Sequence, residues 1–168
     1  MSRWALAAAE GDQVALRRFV ATAQPDLWQF CAYLGSPQDA DDLVQETLLR
    51  AIRSLRSYRA DAPAMRWLLG IARRVCADDI RAKQRRRRLL GALSGARAAT
   101  VDSAGQVDLE ALIQQLDEDR RVAFVLTQVL GYSYDEAAAV CGCPIGTIRS
   151  RVARGRAQLL AEVRSAAR

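Results

Sequence analysis

The residues with most chemistry to offer lie between Ser133 and Leu160, where Thr147, Ser150, Arg151 and Arg154 recur at the spacing of one helix face. Arg149 and Arg156 flank that stripe, and no acidic residue stands between Glu136 and Glu162. Guanidinium groups bond guanine bidentately or hold phosphate, and short hydroxyls bond phosphate or base edges. A DNA major groove accepts such a face. A solvated basic face on an ordinary helical pair is the plainer alternative. The surroundings favour DNA: Ser133 and Glu136 have the spacing of a capping box that starts one helix, Cys141-Gly142-Cys143-Pro144 makes a turn, and Ile148, Val152 and Leu159 give the second helix a core side.

Other chemistries are poorly supplied. There is no histidine, so the commonest general base is missing, and no phosphate-cradling glycine loop, nucleophile elbow or metal carboxylate set is present. Cys141 and Cys143 lack zinc-ligand spacing and have no second ligand pair; with Cys31 and Cys76 they read as small core residues or incidental thiols. No catalytic residue, metal or cofactor is expected. A net charge of +6 and a pI near 9.7 point to a polyanionic partner. The apolar run Trp4 to Ala9 is short and followed at once by Glu10 and Asp12, so no secretion signal is read there and a cytoplasmic protein is expected.

The elements that must carry this chemistry read as all-α. Gly11-Asp12 separates two N-terminal helices, the second bearing Val14, Leu16, Phe19 and Val20; Pro25-Asp26 restarts a helix with Leu27, Phe30 and Leu34 on one face. Ser36 and Pro37 open a long helix, Asp39 to Arg59, with Val44, Leu48, Ala51, Ile52 and Leu55 as its apolar face and Leu43 and Leu49 broadening it. Its charges run from acidic (Asp39, Asp41, Asp42, Glu46) to basic (Arg50, Arg53, Arg56, Arg59). That order suits the helix dipole, and the acidic cluster could equally meet a basic partner. After a loop at Ala60 to Pro63 comes a helix with Trp67, Leu68, Ile71, Val75 and Ile80 on one side. Arg66, Arg73, Arg74, Arg81 and Lys83 lie elsewhere, and a basic run closes it from Arg85 to Arg88. Trp67 is a core residue by default; an aromatic edge beside arginines is also what stacks on unpaired bases. From Leu89 to Gln106 the sequence turns to Gly, Ala, Ser and Thr, as a mobile linker would. Leu109, Leu112, Ile113 and Leu116 then open a second helical domain, with Asp117 to Asp119 capping a helix that carries Val122, Val125, Leu126 and Val129.

Together DADDLVQETLLRAIRSL, WLLGIARRVCADDIRAKQRRR and YSYDEAAAVCGCPIGTIRSRVARGRAQL resemble the extracytoplasmic-function subgroup of the bacterial sigma-70 family of RNA polymerase sigma factors. The resemblance implies a region-2-like helical bundle over 1–88, a linker over 89–106 and a region-4-like helix-turn-helix domain over 107–168. It implies core RNA polymerase as partner, through the clamp coiled coil of its largest subunit and its flap region, together with promoter DNA and an anti-sigma factor. Asp39, Asp42, Leu43, Gln45 and Glu46 match the docking helix. Tyr58 and Arg59 begin the loop that accepts a flipped non-template base of the minus-ten element, with Arg66, Trp67, Arg73 and Arg74 beside it. Thr147, Arg149, Ser150, Arg151 and Arg154 match the recognition helix for the minus-thirty-five element. Three positions depart from the pattern: Arg74 stands where many members have asparagine, Asp117 where proline is usual, and Gly155 where alanine is usual. The alternative without that family is a dimeric helix-turn-helix regulator that binds an operator without polymerase.

Overall fold

Each helix begins or ends where the local chemistry dictates. The computed structural model describes residues 1–94 and 109–166, and these form helices and turns with no strand. Helix α1 (Ser2–Ala9) turns at Gly11 into α2 (Gln13–Leu34), where the Asp12 carboxylate accepts from the amides of Val14 and Ala15 at 2.8 and 3.0 Å. Pro25 lies inside α2 instead of starting a new helix. It forfeits one backbone bond, but the stripe Phe19, Ala23, Leu27, Phe30 and Leu34 runs through it fully or almost fully buried, and that burial outweighs the loss. Val14, in contrast, is exposed.

Helix α3 (Ala40–Ser54) follows a turn in which the Ser36 hydroxyl donates to the Asp39 carboxylate. It ends in a 3-10 turn, Leu55–Ser57, short of the expected Arg59. Helix α4 (Ala64–Ser94) opens with its first amide donating to the Ser2 hydroxyl at 3.1 Å, a cap supplied by α1. It continues past Arg88, so the expected linker is helical as far as Ser94; the rest of that linker lies outside the described residues. α2, α3 and α4 pack together around Phe19, Phe30, Leu68 and Leu69.

The second unit comprises α5 (Leu109–Gln114), α6 (Glu118–Phe124), α7 (Tyr134–Cys141) and α8 (Ile145–Ala166). Asp117 caps α6 by accepting from the Arg120 amide at 3.0 Å, as proline could not. One π-helical turn, Val125–Val129, follows α6. The Ser133–Glu136 capping box forms in both directions, the Ser133 amide donating to the Glu136 carboxylate at 3.0 Å and the Glu136 amide to the Ser133 hydroxyl at 3.2 Å. Gly142 ends α7 at φ 64°, the left-handed conformation for which glycine is best suited.

The two units are not held apart. Their buried side chains form one continuous apolar cluster, with α7 lying on α4 and α5 and α6 on α2. Arg121 of α6 ties them at a helix end. Its guanidinium donates to the Leu34 carbonyl in the last turn of α2 at 2.8 Å, and to the carbonyls of Gln114 and Leu116 at 2.5 and 2.9 Å. Burial pulls its pKa down, yet those carbonyls and the partial negative charge of the α2 terminus suit a cation.

Gly155 is buried where α8 crosses the second unit, and a Cβ there would stand 3.6 Å from Leu116 Cδ1 and 3.8 Å from Phe124 Cδ2, ordinary contact distances. Gly155→Ala should therefore raise unfolding free energy by about 0.5–1 kcal/mol in a denaturant titration. Ser133→Ala should lower it by about 1 kcal/mol. A destabilised Gly155→Ala variant would mean that the crossing is closer than these distances imply.

Candidate nucleic-acid interface

Burial of Ile148, Val152, Gly155 and Leu159 fixes the rotation of α8 and so decides which side faces outward. Ser150, Arg154 and Arg149 lie on the open side, with Gly146, Ala153 and Ala157 exposed between them; Thr147 sits at the margin. Small residues at the centre and arginines at the rim let a helix backbone approach a groove floor while the cations reach phosphates or base edges. The Ser150 hydroxyl donates to the Thr147 carbonyl at 2.9 Å. Arg151 does not share this face. It pairs with Asp119 of α6, its Nη1 lies 3.6 Å from the Cys143 sulfur, and its side chain is 21% exposed. Arg151 thus braces α8 against α6 and the turn. Gly146, Ala153 and Ala157 escaped the sequence reading, which looked for charge; their signal is a row of small residues on the outward side.

A second arginine face lies on α4. Arg66, Trp67, Gly70, Arg73 and Arg74 line one side of a cleft of about 340 Å³, with Ala62 at its edge. Tyr58 is a buried support behind Trp67, not an open surface. It is 6% exposed, its ring packs 5.1 Å from Trp67, and its hydroxyl donates to the Ala62 carbonyl at 2.7 Å, which holds the loop in shape. Arg59 is exposed beside it, and Ala60 adopts a positive φ of 60°. Arg74 turns its Nε back to the Gly70 carbonyl at 3.1 Å. The Nε atoms of Arg66 and Arg73 are buried without a hydrogen-bond partner. The opposite side of the cleft is Ala139, Val140 and Gly142, the C-terminal end of α7.

Helix α3 divides the acidic residues by role. Leu43 is 5% exposed and belongs to the core. Asp39 is bound to Ser36 and, at 2.6 Å, to Lys83; the hydrogen bond from Lys83, then that from Ser36, lowers its pKa. Glu46 pairs with Arg50 at 2.6 Å, and Arg50 reaches Asp78 of α4 at 2.9 Å. Asp41 accepts from the Trp28 indole at 3.0 Å. Asp42 and Gln45 remain open, in line with Leu49 and Ile52, which are 43% and 41% exposed. Both were expected on the apolar face; of that face Val44, Ala51 and Leu55 are buried as expected, and Thr47 is buried beside them. Asp42, Gln45, Leu49 and Ile52 follow helical spacing and form one stripe, acidic and polar at the N-terminal end and apolar further on.

Comparison with known proteins agrees with this division into two units. The family model for Sigma-70 region 2 matches residues 19–86, and that for Sigma-70 region 4 matches residues 106–159. The ECF RNA polymerase sigma factor SigC of Mycobacterium tuberculosis is 49% identical over 164 residues, covering 94% of this chain and 88% of that protein. The sigma factor RpoE of Bartonella quintana, solved in complex with the anti-sigma factor NepR, superposes with a TM-score of 0.69 at 31% identity, covering 88% of this chain and 96% of that one. CnrH, solved with the cytosolic domain of CnrY, gives a TM-score of 0.73 at 28% identity, covering 96% of both chains. With both regions matched in order and a close relative across nearly its whole length, the chain belongs to the sigma-70 family, in the extracytoplasmic-function branch whose members direct transcription initiation.

Proposed function

We propose that this sigma factor divides promoter recognition between its two units and docks on core RNA polymerase through α3. The observation that carries the reading is the open stripe Asp42, Gln45, Leu49 and Ile52, standing apart from both arginine faces. A basic-and-apolar helical surface such as the polymerase clamp coiled coil complements it in charge and hydrophobicity. Asp39 and Glu46 support this surface by holding α3 in place, and Leu43 by anchoring it to the core.

The α4 face, with Arg59, Arg66, Trp67, Arg73 and Arg74, takes the unpaired minus-ten strand. Guanidinium groups hold its backbone, and a base leaving the duplex finds an aromatic wall in Trp67 backed by Tyr58. The outward side of α8 reads the minus-thirty-five element with Arg149, Arg154, Ser150 and Thr147. A groove of Leu109, Leu112, Phe124, Leu159, Leu160 and Val163 on the far side of α8 supports a contact with the apolar flap region of the polymerase. The chain works in the cytoplasm and is not an enzyme, bond formation being the work of the polymerase. The CnrH and RpoE structures, solved with partner proteins, support regulation by an anti-sigma factor here as well.

Run-off transcription with purified core RNA polymerase and promoter fragments tests the reading: initiation should depend on this chain, and polymerase-independent operator binding without initiation would contradict it. Leu49→Ala with Ile52→Ala should weaken binding to core polymerase roughly 10- to 30-fold, from the apolar area those side chains would bury, while the fold is retained. Arg149→Ala or Arg154→Ala should cost roughly 1–3 kcal/mol in binding duplex minus-thirty-five DNA wherever the arginine bonds a base bidentately. Arg151→Ala should instead lower melting temperature and leave sequence preference intact, because its charge is already taken by Asp119.

A further inference from the structure

Helix α7 ends and α8 begins on Cys141-Gly142-Cys143-Pro144, two thiols separated by a single glycine. Cys141 is buried in the last turn of α7, whereas Cys143 is partly exposed. Gly142 between them holds φ 64° and ψ 38°, and residues two apart around such a bend have Cα atoms within the roughly 4.4–6.8 Å that a disulfide spans. Both the sulfur and the backbone of Cys143 hold the turn. The sulfur accepts from Arg151 Nη1 at 3.6 Å, and the amide donates to the Ala138 carbonyl at 3.1 Å. These two bonds tie the start of α8 to α7 and to the pair of Arg151 with Asp119 that joins α8 to α6. A partly exposed thiol beside a guanidinium is the environment in which cysteines react with oxidants. Cys141 differs: burial, with Cys143 adding to it, pushes its thiol up to about 11, so it keeps its proton and Cys143 reacts first. The remaining thiols, Cys31 of α2 and Cys76 of α4, lie in the core of the first unit, where an oxidant has no path to them.

We propose that Cys143 and Cys141 form a modification site at which hydrogen peroxide closes a disulfide, and that the closed form loosens the duplex-reading side of α8. The consequence, though not the site, rests on reading α8 as the duplex reader. The Cys143 sulfur attacks one peroxide oxygen and the O–O bond breaks, giving a sulfenic acid and hydroxide, which leaves as water with the thiol proton. The Cys141 sulfur then attacks the Cys143 sulfur, the S–O bond breaks, and the departing hydroxide takes the Cys141 proton as a second water. The two sulfurs lose the two electrons that the peroxide gains. In the closed form the Cys143 sulfur turns from Arg151 toward Cys141, which leaves Arg151 on Asp119 alone. The first turn of α8, with Gly146 and Thr147, shifts against α7.

The test treats the full chain with hydrogen peroxide, removes the excess with catalase, blocks the remaining thiols and reads the product in two ways. Trypsin cuts after Arg121 and Arg149 and releases residues 122–149, which contain Cys141 and Cys143 and no other cysteine. That peptide should be lighter by two hydrogens, and dithiothreitol should restore it. In Cys141→Ala the sulfenic acid has no second thiol to meet, so dimedone should trap it on Cys143. The other reading is affinity for a duplex that the reduced chain selects from a random pool. Oxidation should weaken it at least about 5-fold, as the loss of one base contact does, with recovery on reduction. Cys143→Ser should bind as the reduced chain does and stay unaffected by peroxide. An unmodified peptide 122–149, or a link between Cys31 and Cys76 in its place, would overturn the site. A disulfide in that peptide with unchanged duplex affinity would overturn its consequence. A reduced chain that selects no duplex from the pool would contradict the reading of α8, while the peptide masses still decide the thiol pair.

Discussion

An arginine placed on the C-terminal end of a helix from the other unit is the interaction on which this arrangement depends. It occurs twice. Arg121 of the second unit donates to the Leu34 carbonyl at the end of α2 in the first, and the arginines of α4 in the first face the end of α7 in the second. Terminal carbonyls have no partner within their own helix, and a guanidinium brings several donors to them without a buried counter-ion. Arg121 gives its Nη donors to three carbonyls from both units, while its Nε, like those of Arg66 and Arg73, is buried without a partner.

The rest of the molecule holds these arginines at fixed height. α2, α3 and α4 are bound by a dry core of Phe19, Phe30, Leu68 and Leu69, and on the solvent side by the chain of ion pairs from Glu46 through Arg50 to Asp78 and Arg81. Exposed pairs of this kind add little stability singly. Burial sets the rotation: Val44, Thr47 and Ala51 turn α3 so that Asp42, Gln45, Leu49 and Ile52 share one open side, and Ile148, Val152 and Leu159 turn α8 so that Arg149 and Arg154 face outward. The ion pairs of Arg50 with Asp78 and of Arg151 with Asp119 join neighbouring helices beside those open sides.

Much of the local structure was legible because it depends on neighbours in sequence. The capping box at Ser133 and Glu136, the turn at Gly142, the caps at Asp12 and Asp117 and the buried stripe of Ile148 and Val152 all follow from spacing within one or two turns. What was missed depends on partners far along the chain. Leu49 and Ile52 look like core by periodicity, but α2 and α4 close on the Thr47 and Ala51 side instead. The pairing of Arg151 with Asp119, from a different helix, has no signal in the local sequence. Pro25 is a sound breaker signal overridden by long-range burial, and the composition change after Arg88 gives no warning that α4 runs on to Ser94. Of the candidate residues, the one-sidedness of the arginines was visible in the sequence; the facing of one arginine surface by α7 was not, since no periodicity encodes which units meet.

The central claim is the proposal that the open stripe of α3 is where this chain meets core RNA polymerase. The most direct measurement is site-specific photo-crosslinking from a reactive residue placed at Gln45, which is exposed on that stripe, in the assembled holoenzyme. The account predicts a crosslink from Gln45 to the largest subunit of the polymerase. A holoenzyme active in initiation with no crosslink from Gln45 would contradict it.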